Sequence, residues 1–98
     1  MPAYFIVSVT IEDPEKRPMY DEYIEKVKPI VESFGGEYLV RSENISVFTG
    51  DWEPDRVIII RFETREKLEV CFASEKYRKI AGLRIQSVLT NAIIVENE

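Results

Sequence analysis

The chain has 98 residues, 45% of them hydrophobic and 32% charged, the proportions of one globular domain with a single core and no room for a second. Thirteen Lys and Arg against 18 Asp and Glu leave a net charge of −5, which repels polyanions, so neither nucleic acid nor an anionic membrane is an expected partner. With no histidine and one cysteine, imidazole bases, Ser-His and Cys-His nucleophile pairs, and His- or multi-Cys-ligated zinc, haem or iron all drop out, and no cofactor is expected.

No apolar run approaches the roughly 18 residues of a membrane span, and the opening "MPAYFIVSV" has neither the basic flank nor the cleavage site of a secretory signal, so the expected location is cytoplasmic. The first predicted strand is "YFIVSVTI", residues 4 to 11, rich in β-branched and aromatic types. Alternation puts Phe5, Val7, Val9 and Ile11 on one face and Tyr4 and Ile6 on the other, so the strand is apolar on both. Asp13 offers a helix N-cap and Pro14 suits a first helical position. Tyr20, Tyr23, Ile24, Val27, Ile30, Val31 and Phe34 then recur at helical spacing, interrupted by Pro18 and Pro29, which predicts a long amphipathic helix bent near Pro29 and ended by Gly35-Gly36.

"EYLVR" predicts the second strand, continued by "SENISVFTG" after an irregularity at Glu43-Asn44. A loop over residues 50 to 55 leads to the third strand, "RVIIIRFE", Arg56 to Glu63. Thr64 caps a helix carrying Leu68, Cys71 and Phe72, and Ser74 restarts it for Tyr77, Ile80 and Ala81, so the second helix is expected in two pieces. Cys71 sits within this apolar stripe and reads as a small buried hydrophobe rather than a nucleophile. "SVLTNAIIVE" supplies the fourth strand. No Gly-rich dinucleotide fingerprint follows any strand, so flavin is not expected either.

The order β-α-β-β-α-β predicts an α+β, ferredoxin-like fold over residues 1–98: a four-stranded antiparallel sheet with both helices on one face. The other face carries Tyr4, Ile6, Val57 and Ile59, too apolar for water, and a second copy of the chain is the simplest cover, giving a homodimer.

The segments "YFIVSVTIEDPE", "FGGEYLVRS", "GDWEPDRVIIIRFETRE" and "SEKYRKIAGLR", in this order and spanning nearly the whole chain, resemble the dimeric α/β-barrel superfamily and, within it, the family known as domain of unknown function 1330. That resemblance implies a homodimer whose sheets enclose a cavity, and implies little about activity. The chain departs from the family pattern at Arg61, where members usually carry an acidic residue before the phenylalanine.

Alternation places Arg61 with Val57 and Ile59, while Ile58, Ile60 and Phe62 face the helices. Arg61 therefore points into the space between sheets or its rim, where it forms an ion pair across the dimer, captures an anionic or carbonyl-bearing ligand, or lies exposed. Arg41 is a second candidate cavity cation, or a strand-edge charge. Trp52, the only tryptophan, either covers the sheet edge or walls a pocket mouth. Tyr4, Ser8 and Asn91 are the candidate hydroxyl and amide partners of a small ligand on the open face, whereas Tyr20, Tyr23 and Tyr77 read as core aromatics. Three functions fit: a small-molecule-binding domain with its ligand between sheet and partner; a cofactor-free oxygenase or isomerase acting on a phenolic or enolic substrate; and a structural or regulatory dimer without ligand.

Overall fold

The computed structural model describes residues 1–97. Strand β1 (Ala3–Thr10) leads through a 3-10 turn (Pro14–Lys16) into helix α1 (Arg17–Ser33), followed by β2 (Glu37–Ser42) and β3 (Arg56–Phe62). Helices α2 (Arg65–Ala73) and α3 (Glu75–Ser87) and strand β4 (Leu89–Glu96) complete the order. All pairings are antiparallel and the sheet order is β2-β3-β1-β4, the ferredoxin-like arrangement with its second helix split, as expected.

The caps explain the breaks. Asp13 accepts from the Glu15 amide, and Pro18 falls in the first turn of α1, where a missing donor costs nothing, so it opens the helix rather than interrupting it. Pro29 lies inside α1, which continues past it to Ser33. At the end Gly35 takes φ +84° and the Gly36 amide returns to the Val31 carbonyl at 2.9 Å, closing the helix with a left-handed residue. Thr64 accepts from the Lys67 amide and Ser74 from the Tyr77 amide, so each half of the second helix has its own cap.

One expected strand extension is absent. The strand breaks at Glu43-Asn44 as expected, but "SENISVFTG" does not resume β2, which ends at Ser42, and a further register shift lies earlier, between Tyr38 and Val40. Ser42 Oγ accepts from the Asn44 amide, turning the chain, and Glu43 is drawn off to the guanidinium of Arg17 on α1 at 2.8 and 2.9 Å. Local hydrogen bonds and a bidentate ion pair outcompete a ladder that has only Arg56 of β3 left to pair with.

The core lies between the sheet and the helices. Phe5, Val7, Val9, Ile58, Ile60 and Phe62 meet Tyr20, Tyr23, Val27 and Val31 of α1 and Leu68, Cys71, Phe72, Tyr77 and Ile80 of α2 and α3. Phe5 stacks on Phe72 with ring centroids 4.4 Å apart, and Phe62 meets Phe72 edge-on at 6.2 Å. The opposite face carries a continuous apolar row, Val40, Ile59, Ile6 and Ile93, one residue from each strand in sheet order. Ile93 is 58% exposed in the single chain, and Leu39 and Val95 beside the row are exposed as well.

Candidate functional site

A cavity of about 170 Å³ opens between the sheet and the helices. Its floor is Phe5, Val7, Val9, Ile58 and Ile60, its roof is Tyr20, Tyr23, Ile24, Val27 and Phe72, and polar groups gather at one end. The register accounts for that gathering. Arg56 and Thr90 are the two cross-strand neighbours of Val9, so one row of the helix-facing side ends in a cation on β3 and a hydroxyl on β4. Arg84, on the last turns of α3, reaches the same end from above: its Nη1 donates to Thr90 Oγ1 at 2.6 Å and its Nε to the Tyr77 hydroxyl at 3.2 Å. The Tyr77 and Tyr23 hydroxyls lie 2.9 Å apart. Tyr23 packs in turn on Tyr20, with ring centroids at 6.0 Å.

Proton accounting leaves something over. The Tyr77 oxygen accepts from Arg84, and of the two phenolic protons only one can bridge Tyr23 and Tyr77, so one O–H donor remains for whatever enters the cavity. Arg56 is the second unspent donor. Its guanidinium is held by Glu43 at 3.5 Å, with the side chain 12% exposed, but Nε is buried without a partner. A buried, unpaired guanidinium nitrogen costs several times what a formed bond returns, so its persistence beside a cavity calls for a partner.

None of these groups is a base. Burial pushes the Tyr20 phenol above its ordinary value against the opposing charge and hydrogen bonding of the Arg56 guanidinium. Burial and the neighbouring Tyr77 raise Tyr23 further still, and burial moves Tyr38 up to about 12. Cys71 is fully buried and its thiol is pushed up to about 11 by desolvation, so it is a packing residue. The cavity lining contains no carboxylate. The site therefore presents hydrogen-bond donors and positive charge. Among the described residues no group of three or more His, Cys, Asp or Glu stands together to hold a metal.

Of the residues the sequence singles out, Arg41 alone lines this cavity, exposed at its rim with the guanidinium carbon 5.1 Å over the Tyr38 ring. Tyr4, Ser8, Arg61 and Asn91 all lie on the opposite, open face, as alternation requires, but not as one cluster. Arg61 stands between Glu37 and Tyr4 in one row, Ser8 between Val57 and Asn91 in another, with the Ile6–Ile59 row separating them. Trp52 is 65% exposed on the loop between β2 and β3, near the fully exposed Phe48, and does not cover the core of its own chain.

Two sequence patterns point to the polar end of the cavity. The alternation that turns Ile58, Ile60 and Phe62 to the helices also turns Arg56 that way. Tyr77 and Arg84 are seven residues apart, two helical turns on one face. What no pattern announces is that Tyr20, Tyr23 and Tyr77, typical core aromatics by spacing, stop short of filling the space between them.

Solved structures share the fold at low identity. A protein of unknown function from Rhodopseudomonas palustris, RPA0582, is 18% identical with a TM-score of 0.79, covering 99% of this chain and 82% of its own. A dimeric ferredoxin-like protein of unknown function from Jannaschia sp. CCS1 is 12% identical at a TM-score of 0.83, covering 99% and 100%. SnoaB, a cofactor-independent oxygenase from Streptomyces nogalater, is 8% identical at a TM-score of 0.71, covering 99% and 93%. No curated protein matches the chain. The family described as Domain of unknown function (DUF1330) matches residues 2–98, the whole of the sheet and its helices, and the chain belongs to that family.

Proposed function

We propose that this chain is a homodimeric domain that binds a small organic molecule, with the ligand in the cavity between its own sheet and helices and the open sheet face against a second copy. The observation that carries the reading is the unpartnered Nε of Arg56 beside an aromatic cavity that also holds an unspent phenolic proton. A packed interior would have filled this space, so a purely structural dimer is the poorer account. At about 170 Å³ the cavity is close to the roughly 150 Å³ that accepts a benzene ring, which sets the scale of the ligand at one ring. The dimer rests on the Val40, Ile59, Ile6, Ile93 row, an apolar stripe a lone domain would leave in water, and on likeness to a dimeric ferredoxin-like protein.

Two measurements test this reading. Sedimentation should give twice the 11.4 kDa of one chain, and Ile93→Glu, on an exposed position of the open face, should give a folded monomer. A screen of small aromatic and aliphatic compounds by thermal shift should yield saturable stabilisation that Val7→Phe, which fills the cavity floor, abolishes. A monomeric parent would sink the dimer. Ligands indifferent to Val7→Phe would sink the cavity.

Likeness to the cofactor-independent oxygenase supports a second reading, a cofactor-free enzyme for a phenolic or enolic substrate. Because the lining has no carboxylate and the chain no histidine, such a substrate is best one that arrives ionised, which the protein would bind and orient.

A further inference from the structure

We propose that the ligand of this cavity is a compact organic monoanion, a monocarboxylate or enolate built on a single ring or a short chain, with its charge set between Arg84 and Arg56 and its body on Phe5 and Ile58. This rests on the reading of the cavity as a binding site and adds the chemical class. Its basis is the charge balance at the polar end. Two guanidiniums, Arg56 and Arg84, line that end and no carboxylate does; of the carboxylates nearby, Glu43 contacts Arg17 and Arg56, and Asp55 accepts from the Ile11 amide at 2.7 Å. Glu43 is shared between Arg17 and Arg56, and Arg84 bonds only to neutral oxygens, those of Tyr77 and Thr90. Among the described residues Arg84 therefore has no carboxylate partner and Arg56 Nε has no partner at all, inside a cavity whose lining holds no anion.

Guanidinium stays protonated in proteins, so the imbalance cannot be relieved by losing a proton. An anion relieves it. Arg41 adds a charge at the rim, but it is exposed and lies over the Tyr38 ring, where water screens it. The size follows from the volume, and the single charge follows from the other end of the cavity. Beyond Arg56 and Arg84 the interior of the lining is mainly Phe5, Val7, Val27, Ile58, Ile60 and Phe72, and its one further cation, Arg41, is exposed at the rim, so a second ionised group inside meets a large desolvation cost. The phenolic proton left over by the Tyr23–Tyr77 pair completes the head-group site, because a carboxylate or enolate oxygen accepts it as well as the guanidinium protons.

The test uses benzoate, its isosteric neutral amide benzamide and the longer dianion terephthalate, titrated calorimetrically into the intact protein, with amide chemical shifts followed alongside. Benzoate should bind at least ten-fold tighter than either of the others, with shifts centred on Val9, Tyr77 and Thr90. Arg84→Met should weaken benzoate ten-fold or more and leave benzamide unchanged, while Arg84→Lys should recover part of the loss. If Arg84→Met does not fold, Arg84→Lys and Thr90→Val carry the comparison, each weakening benzoate selectively. Benzamide binding in the cavity as tightly as benzoate would overturn the monoanion and leave the cavity reading standing. So would terephthalate binding there as tightly. Benzoate that binds equally well to Val7→Phe would place it on the surface and overturn the proposal, and binding by none of the three would overturn both.

Discussion

Removing the Tyr77 hydroxyl tests the donor arrangement at the polar end most directly. Tyr77→Phe keeps the ring, with its edge-on contact to Phe72 at 5.0 Å and to Tyr23 at 6.3 Å, and deletes only the oxygen. Two bonds go with it: the phenol pair at 2.9 Å and the Arg84 Nε donation at 3.2 Å. A neutral bond is worth about 1 kcal/mol and a charge-assisted one about 1.5 to 3. The second lies at the low end here, because it is long and Arg84 keeps Thr90. The expected loss is therefore about 2 to 3 kcal/mol, against about 1 for Tyr23→Phe, which breaks only the phenol pair. In the double variant the Tyr23 bond is already gone, so its cost should nearly equal that of Tyr77→Phe alone, a coupling of about 1 kcal/mol. Urea unfolding of the four proteins at one fixed chain concentration reads this, because an associating protein has a concentration-dependent stability. Losses that simply add, or a Tyr77→Phe variant no weaker than Tyr23→Phe, would refute the shared-oxygen geometry.

Gly36→Ala should cost about 1 to 3 kcal/mol, since a Cβ there overlaps Val31 Cγ1 and stands 3.0 Å from Phe62 Cζ, and both side chains are fully buried. By contrast Gly82→Ala, with nothing nearer than Gln86 Nε2 at 3.7 Å in the middle of α3, should stabilise by about 0.5 to 1 kcal/mol; thermal melts showing the same sign for both would contradict the packing account. Cys71 and Tyr38 have folded values raised to about 11 and about 12 by burial, so their contribution is complete below the unfolded thiol value and is lost as pH climbs from about 9 to about 12. Phenolate absorbance and circular dichroism should therefore change together across that window, and tyrosines that all titrate near pH 10 with the fold intact would count against their burial. Trp52→Ala in the Ile93→Glu background should change stability by no more than about 0.5 kcal/mol, because the indole is 65% exposed; a loss of 2 kcal/mol or more there would mean that the loop packs on its own chain.

The element order, the helix breaks and the two faces of the sheet were determined by local chemistry, and the sequence alone was enough to read them. Asp13, Thr64 and Ser74 cap where their side chains reach amides two or three residues on, and alternation in "RVIIIRF" separates Ile58, Ile60 and Phe62 from Val57, Ile59 and Arg61 whatever the partners are. Family membership was legible for the same reason, since it lies in ordered stretches of residue types. What only the tertiary structure decided is where space is left unfilled and where charge fails to cancel. The segment after Glu43 does not resume the strand that its sequence favours, and Arg17, 26 residues away, holds Glu43 in the turn. The cavity lies on the helix side, not among Tyr4, Ser8, Arg61 and Asn91, because Tyr23 of α1 and Tyr77 of α3 meet hydroxyl to hydroxyl, with Tyr20 packed on Tyr23, without closing the gap over Val7 and Val9. Periodicity reports which side a residue faces; the volume between facing residues depends on the distance between elements, and that is set by packing across the whole domain.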